Sequence, residues 1–420
     1  MKRRTLLAGL AATSLSSCFR LARPPPLENG ILSAHARWLW RRAWKELDPA
    51  RVLDTHTHVV GLGHDGTGCE VNPSMTKSLR FGIYVAAAGI QNIEEHADQQ
   101  YVDTLVTRLR SQLIHGRSMI LGFDRTYGED GKVRPELTEF HTPNAYVARL
   151  SREYPDLFVP CASVHPYRPD AIEALHEAAE SGCIAVKWLP NAMQMNPGSA
   201  KCDAFYEAMV KLGLPLLTHA GEEKAVEAEE AQRFGNPLHL RRPLDHGVKV
   251  LVAHCASLGE NPDLDLPDAG ADKPWVDNFD LFTRLMEEKR YEGKLFGEIS
   301  AMTQANRAGK PIITVMKRKD WHARLVNGSD YPLPAITVLI QTSKLVKLGL
   351  LTERERLALN ELDQHNPLEF DFVVKRTLSF REGDVVHRLP DAAFTWTPSV
   401  FPRLRSGSDS LEGLVSTSGA

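Results

Sequence analysis

The stretch RVLDTHTHVVGLG, residues 51 to 63, places His56 and His58 one residue apart at the end of a short apolar run. In an extended strand, residues i and i+2 project from the same face, so the two imidazoles point together if this run is a strand. A divalent cation sits about 2.0–2.1 Å from such ring nitrogens and needs further donors. In a chain with 16 histidines an H-x-H pair decides little alone. The pair predicts a metal site only if other ligands stand at the ends of other strands.

Short apolar runs recur through the chain: RVLDTH, SMILGFD, FVPCASVHP, CIAVKWLP, LPLLTHAG, VKVLVAHC, KLFGEIS and ARLVNGSD. Amphipathic segments such as PDAIEALHEAAESG and KCDAFYEAMVKLG separate them, with Gly182 and Gly213 as C-cap residues. Apolar rather than alternating strands divided by helices predict a parallel sheet. An open doubly wound sheet and a closed (β/α)8 TIM barrel both fit that alternation. The polar residues choose between them. His56 and His58 end the first run, Lys187 the fourth, His219 the fifth, His254 the sixth and Asp330 the eighth. In a barrel these ends share one mouth; in an open sheet the first and eighth lie far apart. The fold class is therefore α/β, a TIM barrel over residues 51–370.

DTHTH, AVKWLP, LTHAG, LVAHC and NGSDYP occur in this order. The set resembles the metal-dependent amidohydrolase superfamily. The stretch from His165 to Pro190, the GSDYP form and LTERERLALNELDQHNP resemble its branch of small-molecule hydrolases and non-oxidative decarboxylases. The resemblance implies metal ligands among His56, His58, Lys187, His219, His254 and Asp330. In binuclear members the strand-four lysine is carboxylated and bridges two metals, with His219 and His254 on the second. In the mononuclear branch His219 joins the first metal and His254 is a catalytic acid or base. A barrel family of nucleases also opens with H-x-H but has glutamate where Lys187 stands.

Imidazoles and a carboxylate suit zinc, one ion or two, with manganese, iron or cobalt also compatible. A metal with an open position brings bound water to a pKa near 7, and Asp330 is placed to move its proton. Arg125, His165, Trp188 and Asn191 follow strand ends and are expected to contact substrate, with Met193, Glu298 and Ser300 as weaker candidates. The stretch LGENPDLDLPDAGADKPW after His254 reads as an acidic lid or a solvated loop.

Hydrophobic content of 43%, charged content of 25% and a net charge of −3 describe a globular chain without the basic stripe of a nucleic-acid binder. Residues 1–18, MKRRTLLAGLAATSLSSC, read as an export signal with twin-arginine character, and Cys18 as a lipidation site. That predicts a lipid-anchored protein on the periplasmic side of a bacterial membrane. The five remaining cysteines make no disulfide framework. Residues 19–50 are read as a stiff linker and a Trp-rich helix, 371–402 as a hairpin-like appendage and 403–420 as a disordered tail. The leading expectation is a metal-dependent hydrolase of a small-molecule amide, ester or lactone, with a homo-oligomer among the assemblies expected. A decarboxylase on the same residues, or a non-catalytic metal-binding lipoprotein, are the alternatives.

Overall fold

The computed structural model describes residues 32–405, apart from 113, 226–228 and 267–272. The export signal, Cys18 and most of the expected tail lie outside the described residues. Eight parallel strands carry the fold: β1 Leu53–His58, β2 Arg117–Leu121, β3 Phe158–Cys161, β4 Val186–Trp188, β5 Leu216–His219, β6 Val250–Ala253, β7 Leu295–Glu298 and β8 Leu325–Val326. They pair as two groups, β1 to β3 and β4 to β8.

Hydrogen bonds at both seams close the groups into a ring. Between β3 and β4, Ala162 N donates to Ala185 O at 3.0 Å and Lys187 N to Ala162 O at 2.7 Å. Between β8 and β1, Thr55 N donates to Asn327 O at 2.9 Å, Asp330 N to His56 O at 2.7 Å and His58 N to Tyr331 O at 2.9 Å. The barrel read from the sequence is the fold observed, and the open sheet is not.

Strand parity sorts the side chains. Leu53, Met119, Leu121, Val159, Cys161, Leu217, Leu251 and Phe296 fill the barrel. The alternate residues Val186, Trp188, Leu216, Val250 and Leu295 pack outward in the main core beneath the helices. Those helices include Ala171–Glu180, Asp203–Leu212, Asn278–Glu287, Glu353–His365 and Pro367–Thr377. Gly213 takes φ +65° at its helix end, as the C-cap reading requires.

The chain after the barrel departs from expectation. FVVKRT continues the helix Pro367–Thr377, and only Phe380–Glu382 with Val385–His387 forms a hairpin. Trp396, Val400, Phe401 and Leu404 then join the barrel-filling cluster. The segment plugs the end of the barrel opposite the site, and Arg403 ties it down by donating to Cys183 O, Leu212 O and Ala179 O. Arg403 and Leu404 are thus packed against the barrel, and Arg405 is exposed. The N-terminal helix Ala34–Trp44 buries Trp40 and Trp44 and leaves Trp38 half exposed beside Arg42.

Helix Glu353–His365 starts at a capping box, with Thr352 N donating to Glu355 Oε2 at 2.9 Å and Thr352 Oγ1 accepting from Glu355 N at 3.2 Å. Half-buried Asp363 near its end is pushed up to about 7 by burial. Its folded value lies above its unfolded one, so its contribution favours the fold in acid and turns against it as pH rises through about 7. Asp363→Asn is therefore expected to stabilise the protein by about 1 kcal/mol near pH 8, after allowance for solvent contact, with the gain vanishing near pH 4. Denaturant titrations at the two pH values check it.

Candidate metal centre

The C-terminal ends of β1, β4, β5, β6, β7 and β8 surround one point. His56 and His58 reach it from β1, and their Nε2 atoms lie 3.4 and 3.3 Å from the same Asp330 oxygen, Oδ1. His254 Nε2, just beyond β6, is 3.7 Å from Asp330 Oδ2. Lys187 Nζ from β4 is 3.0 Å from His56 Nε2. His219 ends β5 and packs edge-on to His254, with ring centroids 5.5 Å apart.

The backbone is strained where these side chains leave the strands. His254, Cys255, Ala256, Ala301 and Asp330 all take φ between 50° and 59°, a region that costs non-glycine residues roughly 1–3 kcal/mol each. The glycine of GSDYP is needed for space. A Cβ on Gly328 would come within 2.6 Å of Glu298 Oε1 and His56 Cβ.

A layer behind the ring fixes the imidazoles. Glu298 Oε2 on β7 accepts from His56 Nδ1 at 3.1 Å and from Ser300 Oγ at 2.7 Å. His254 Nδ1 donates to the Ser300 carbonyl at 3.1 Å, with Ser300 Oγ 2.8 Å away. Both Nδ1 atoms therefore carry the proton, and both Nε2 lone pairs face Asp330. Burial holds His56, His219 and His254 well below the ordinary imidazole range, reinforced by Lys187 at His56 and by Arg307 at the other two. Burial also lowers the Lys187 ammonium, against the pull of Asp330 and Glu298, and pushes Glu298 up to about 7.

The donors open into a cavity of about 380 Å³. Its walls come largely from helix Leu79–Ala88 and from residues 332–339. Of the residues expected from sequence, His56, His58, Lys187, His219, His254 and Asp330 line it, whereas Arg125, His165, Trp188 and Asn191 do not. Trp188 is one residue out of phase with Lys187, so it points outward, donating Nε1–H to Val164 O at 2.8 Å. His165 is a satisfied core histidine: Nε2 donates to Met193 O at 2.9 Å and Nδ1 accepts from Tyr167 N at 3.2 Å. Arg125 forks onto Glu70, and Asn191 donates to Gly221 O and Gln232 Oε1. These four are corrections to the substrate-contact expectation. In the expected lid, Asp263 and Asp265 are neutralised by Arg241 and Arg284. The sequence reading missed Tyr84, Glu223, Gln304 and Arg307, which line the cavity from loops and a helix outside the strand-end pattern.

Residues 121–356, more than half of the sequence, match the family model Amidohydro_2, amidohydrolase. The chain belongs to the amidohydrolase family. It is thus an enzyme of the metal-dependent amidohydrolase superfamily. Solved structures similar to this amidohydrolase include the uncharacterised TIM-barrel protein Bb4693 of Bordetella bronchiseptica, at 14% identity and TM-score 0.47, covering 76% of this chain and 99% of that one. Another is 4-oxalomesaconate hydratase of Rhodopseudomonas palustris, at 13% identity and TM-score 0.44, covering 87% and 99%. A third is a 5-carboxyvanillate decarboxylase of Novosphingobium aromaticivorans with bound manganese, at 12% identity and TM-score 0.40, covering 77% and 97%. No curated protein matches the chain. The family assignment rests on the model match alone.

The residues fit the divalent metal with which this family works. His56, His58 and Asp330 offer one donor atom each, all within 4.8 Å of one another. The buried Nε2 of His219 has no hydrogen-bond partner. Lys187 Nζ stands beside His56 Nε2, but among the described residues no proton donor serves the Nε2 atoms of His58, His219 and His254, and buried lone pairs left facing a carboxylate in this way suit a cation.

Proposed function

We propose that this amidohydrolase is a divalent-metal-dependent hydrolase of small-molecule amides, esters or lactones. The reading is supported above all by the convergence of His56 Nε2 and His58 Nε2 on one oxygen of Asp330, with His56 Nδ1 held by Glu298. A cation bound there supplies a water acidified to a pKa of about 7 and polarises the substrate carbonyl. Zinc suits this donor set best, with manganese, iron or cobalt as further candidates.

The chain's own groups do the rest. Asp330 takes the proton from the attacking water and passes it to the leaving amine or alcohol. His254, neutral and with its Nε2 lone pair 3.7 Å from Asp330 Oδ2, can accept the proton that Asp330 takes up. His219 and Lys187 complete the donor set for one ion or a second. Apolar walls keep bulk water from the reacting bond.

The test is hydrolysis in isotopically labelled water. Label in the acid product is expected. Release of carbon dioxide without label uptake would overturn the hydrolase reading in favour of a decarboxylase on the same residues.

His56→Ala is expected to abolish stoichiometric metal binding, measured by elemental analysis per chain. It should also remove the stabilisation that metal confers on the wild type, about 3 kcal/mol when free metal is about a hundredfold above its dissociation constant. Equal metal content in variant and wild type would refute the ligand assignment.

A further inference from the structure

The cavity holds a polar pair that the metal chemistry leaves unused. Gln304 and Arg307 lie on the segment after β7, and both line the cavity. The backbone N–H of Arg307 donates to Gln304 O at 2.9 Å, a turn that carries the two residues along the same wall. Both are deeply buried, with Arg307 9% exposed and Gln304 6%. Among the described residues, the Arg307 guanidinium makes one long hydrogen bond, from Nη1 to Ser257 Oγ at 3.4 Å, and its buried Nε has no partner. No carboxylate of the described residues stands within ion-pair distance of it, and the Gln304 amide has no protein partner there.

The carboxylates that act on Arg307, Glu223 first and then Asp330, do so from beyond ion-pair distance; a guanidinium withdrawn from water without a direct ion pair is costly, and its planar fork matches a carboxylate. The rest of the chamber is of another character. Phe81, Ile83 and Val85 face it from helix Leu79–Ala88, and Leu333, Ile336 and Leu339 from the segment after Asp330. At interior packing density, a cavity of about 380 Å³ takes on the order of fifteen non-hydrogen atoms. The other charged lining residues outside the donor ring have partners of their own, Glu223 Oε2 lying 3.6 Å from His219 Nδ1. Arg80 Nη1 donates to Lys224 O at 3.1 Å, and Lys224 Nζ pairs with Glu222 at 3.0 Å.

We propose that the ligand of this cavity is an anionic amphiphile. Its single carboxylate or comparable acidic group is held by Arg307 and Gln304, and its apolar body lies against helix Leu79–Ala88 and the 333–339 segment. The proposal rests on the hydrolase reading only for the position of the reacting bond.

Calorimetric titration with octanoate, octan-1-ol and acetate tests it, on the purified protein and on Arg307→Met at equal metal content. The wild type is expected to bind octanoate at least about tenfold more tightly than either octan-1-ol, which lacks the charge, or acetate, which lacks the body. Arg307→Met should lose about tenfold toward octanoate and keep its affinity for octan-1-ol. Equal binding of octanoate and octan-1-ol by the wild type, equal binding of octanoate and acetate, or an unchanged octanoate affinity in the variant would each overturn the proposal. If Arg307→Met does not fold, the three-probe comparison on the wild type decides, supported by Gln304→Leu with an expected loss of about threefold for octanoate. A protein that incorporates labelled water but shows no preference for octanoate refutes the amphiphile alone. One that prefers octanoate yet takes up no label refutes the hydrolase alone.

Discussion

Asp330→Asn is expected to lower kcat by about a thousandfold while KM changes by less than about threefold. The amide keeps the volume of the carboxyl and leaves the main-chain bond from Asp330 N to His56 O at 2.7 Å untouched. What disappears is the anionic oxygen shared by His56 and His58, and with it the carboxylate proposed to shuttle a proton between water and leaving group. Steady-state kinetics with metal content measured on the same sample separates the two losses. A variant with full metal and a thousandfold lower kcat has lost the proton shuttle. One short of metal has lost a ligand first. A fall of less than tenfold with full metal would remove Asp330 from the mechanism.

Lys375→Met is expected to cost about 3–5 kcal/mol of folding stability. Lys375 is fully buried, and its ammonium donates to Asp371 Oδ2 and to Gly328 O, each at 2.6 Å. Burial already pushes Asp371 up to about 6, with Lys375 the main opposing influence, and Asp54 is raised by burial nearby. Methionine would leave two buried carboxyls without their cation. Lys375→Met combined with Asp371→Leu should recover much of the loss, because the surviving charge is removed with its partner. Denaturant unfolding of the single and double variants checks this. A double variant no more stable than the single would show that the bond to Gly328, rather than the ion pair, carries the effect.

The convergence of His56, His58, Lys187, His219, His254 and Asp330 was legible in the sequence because two periodicities coincide there. Parity within each strand sets which residue faces inward, and barrel closure brings every strand end to one rim. Trp188 was misplaced by neglect of the first rule, since Lys187 beside it already occupies the inward position. Arg125 and His165 were misplaced for another reason. Their partners, Glu70 and the Met193 carbonyl, come from the short strand Glu70–Val71 and the one-turn helix Pro190–Met193, elements too brief to leave a period in the sequence. Arg307 and Gln304 sit in SAMTQANRAGK, which reads as ordinary loop, and only the folded chain shows that they are buried and unpaired. The plug at 396–404 escaped because irregular chain carries no period, although Trp396, Val400 and Phe401 are apolar enough to suggest burial.

The seam between the first and last strands passes through the donor ring itself, where Asp330 N reaches His56 O. Sealing the cylinder and assembling the ion's cage are consequently one event. A nascent polypeptide halted short of residue 330 therefore has an open wall and an incomplete donor set together.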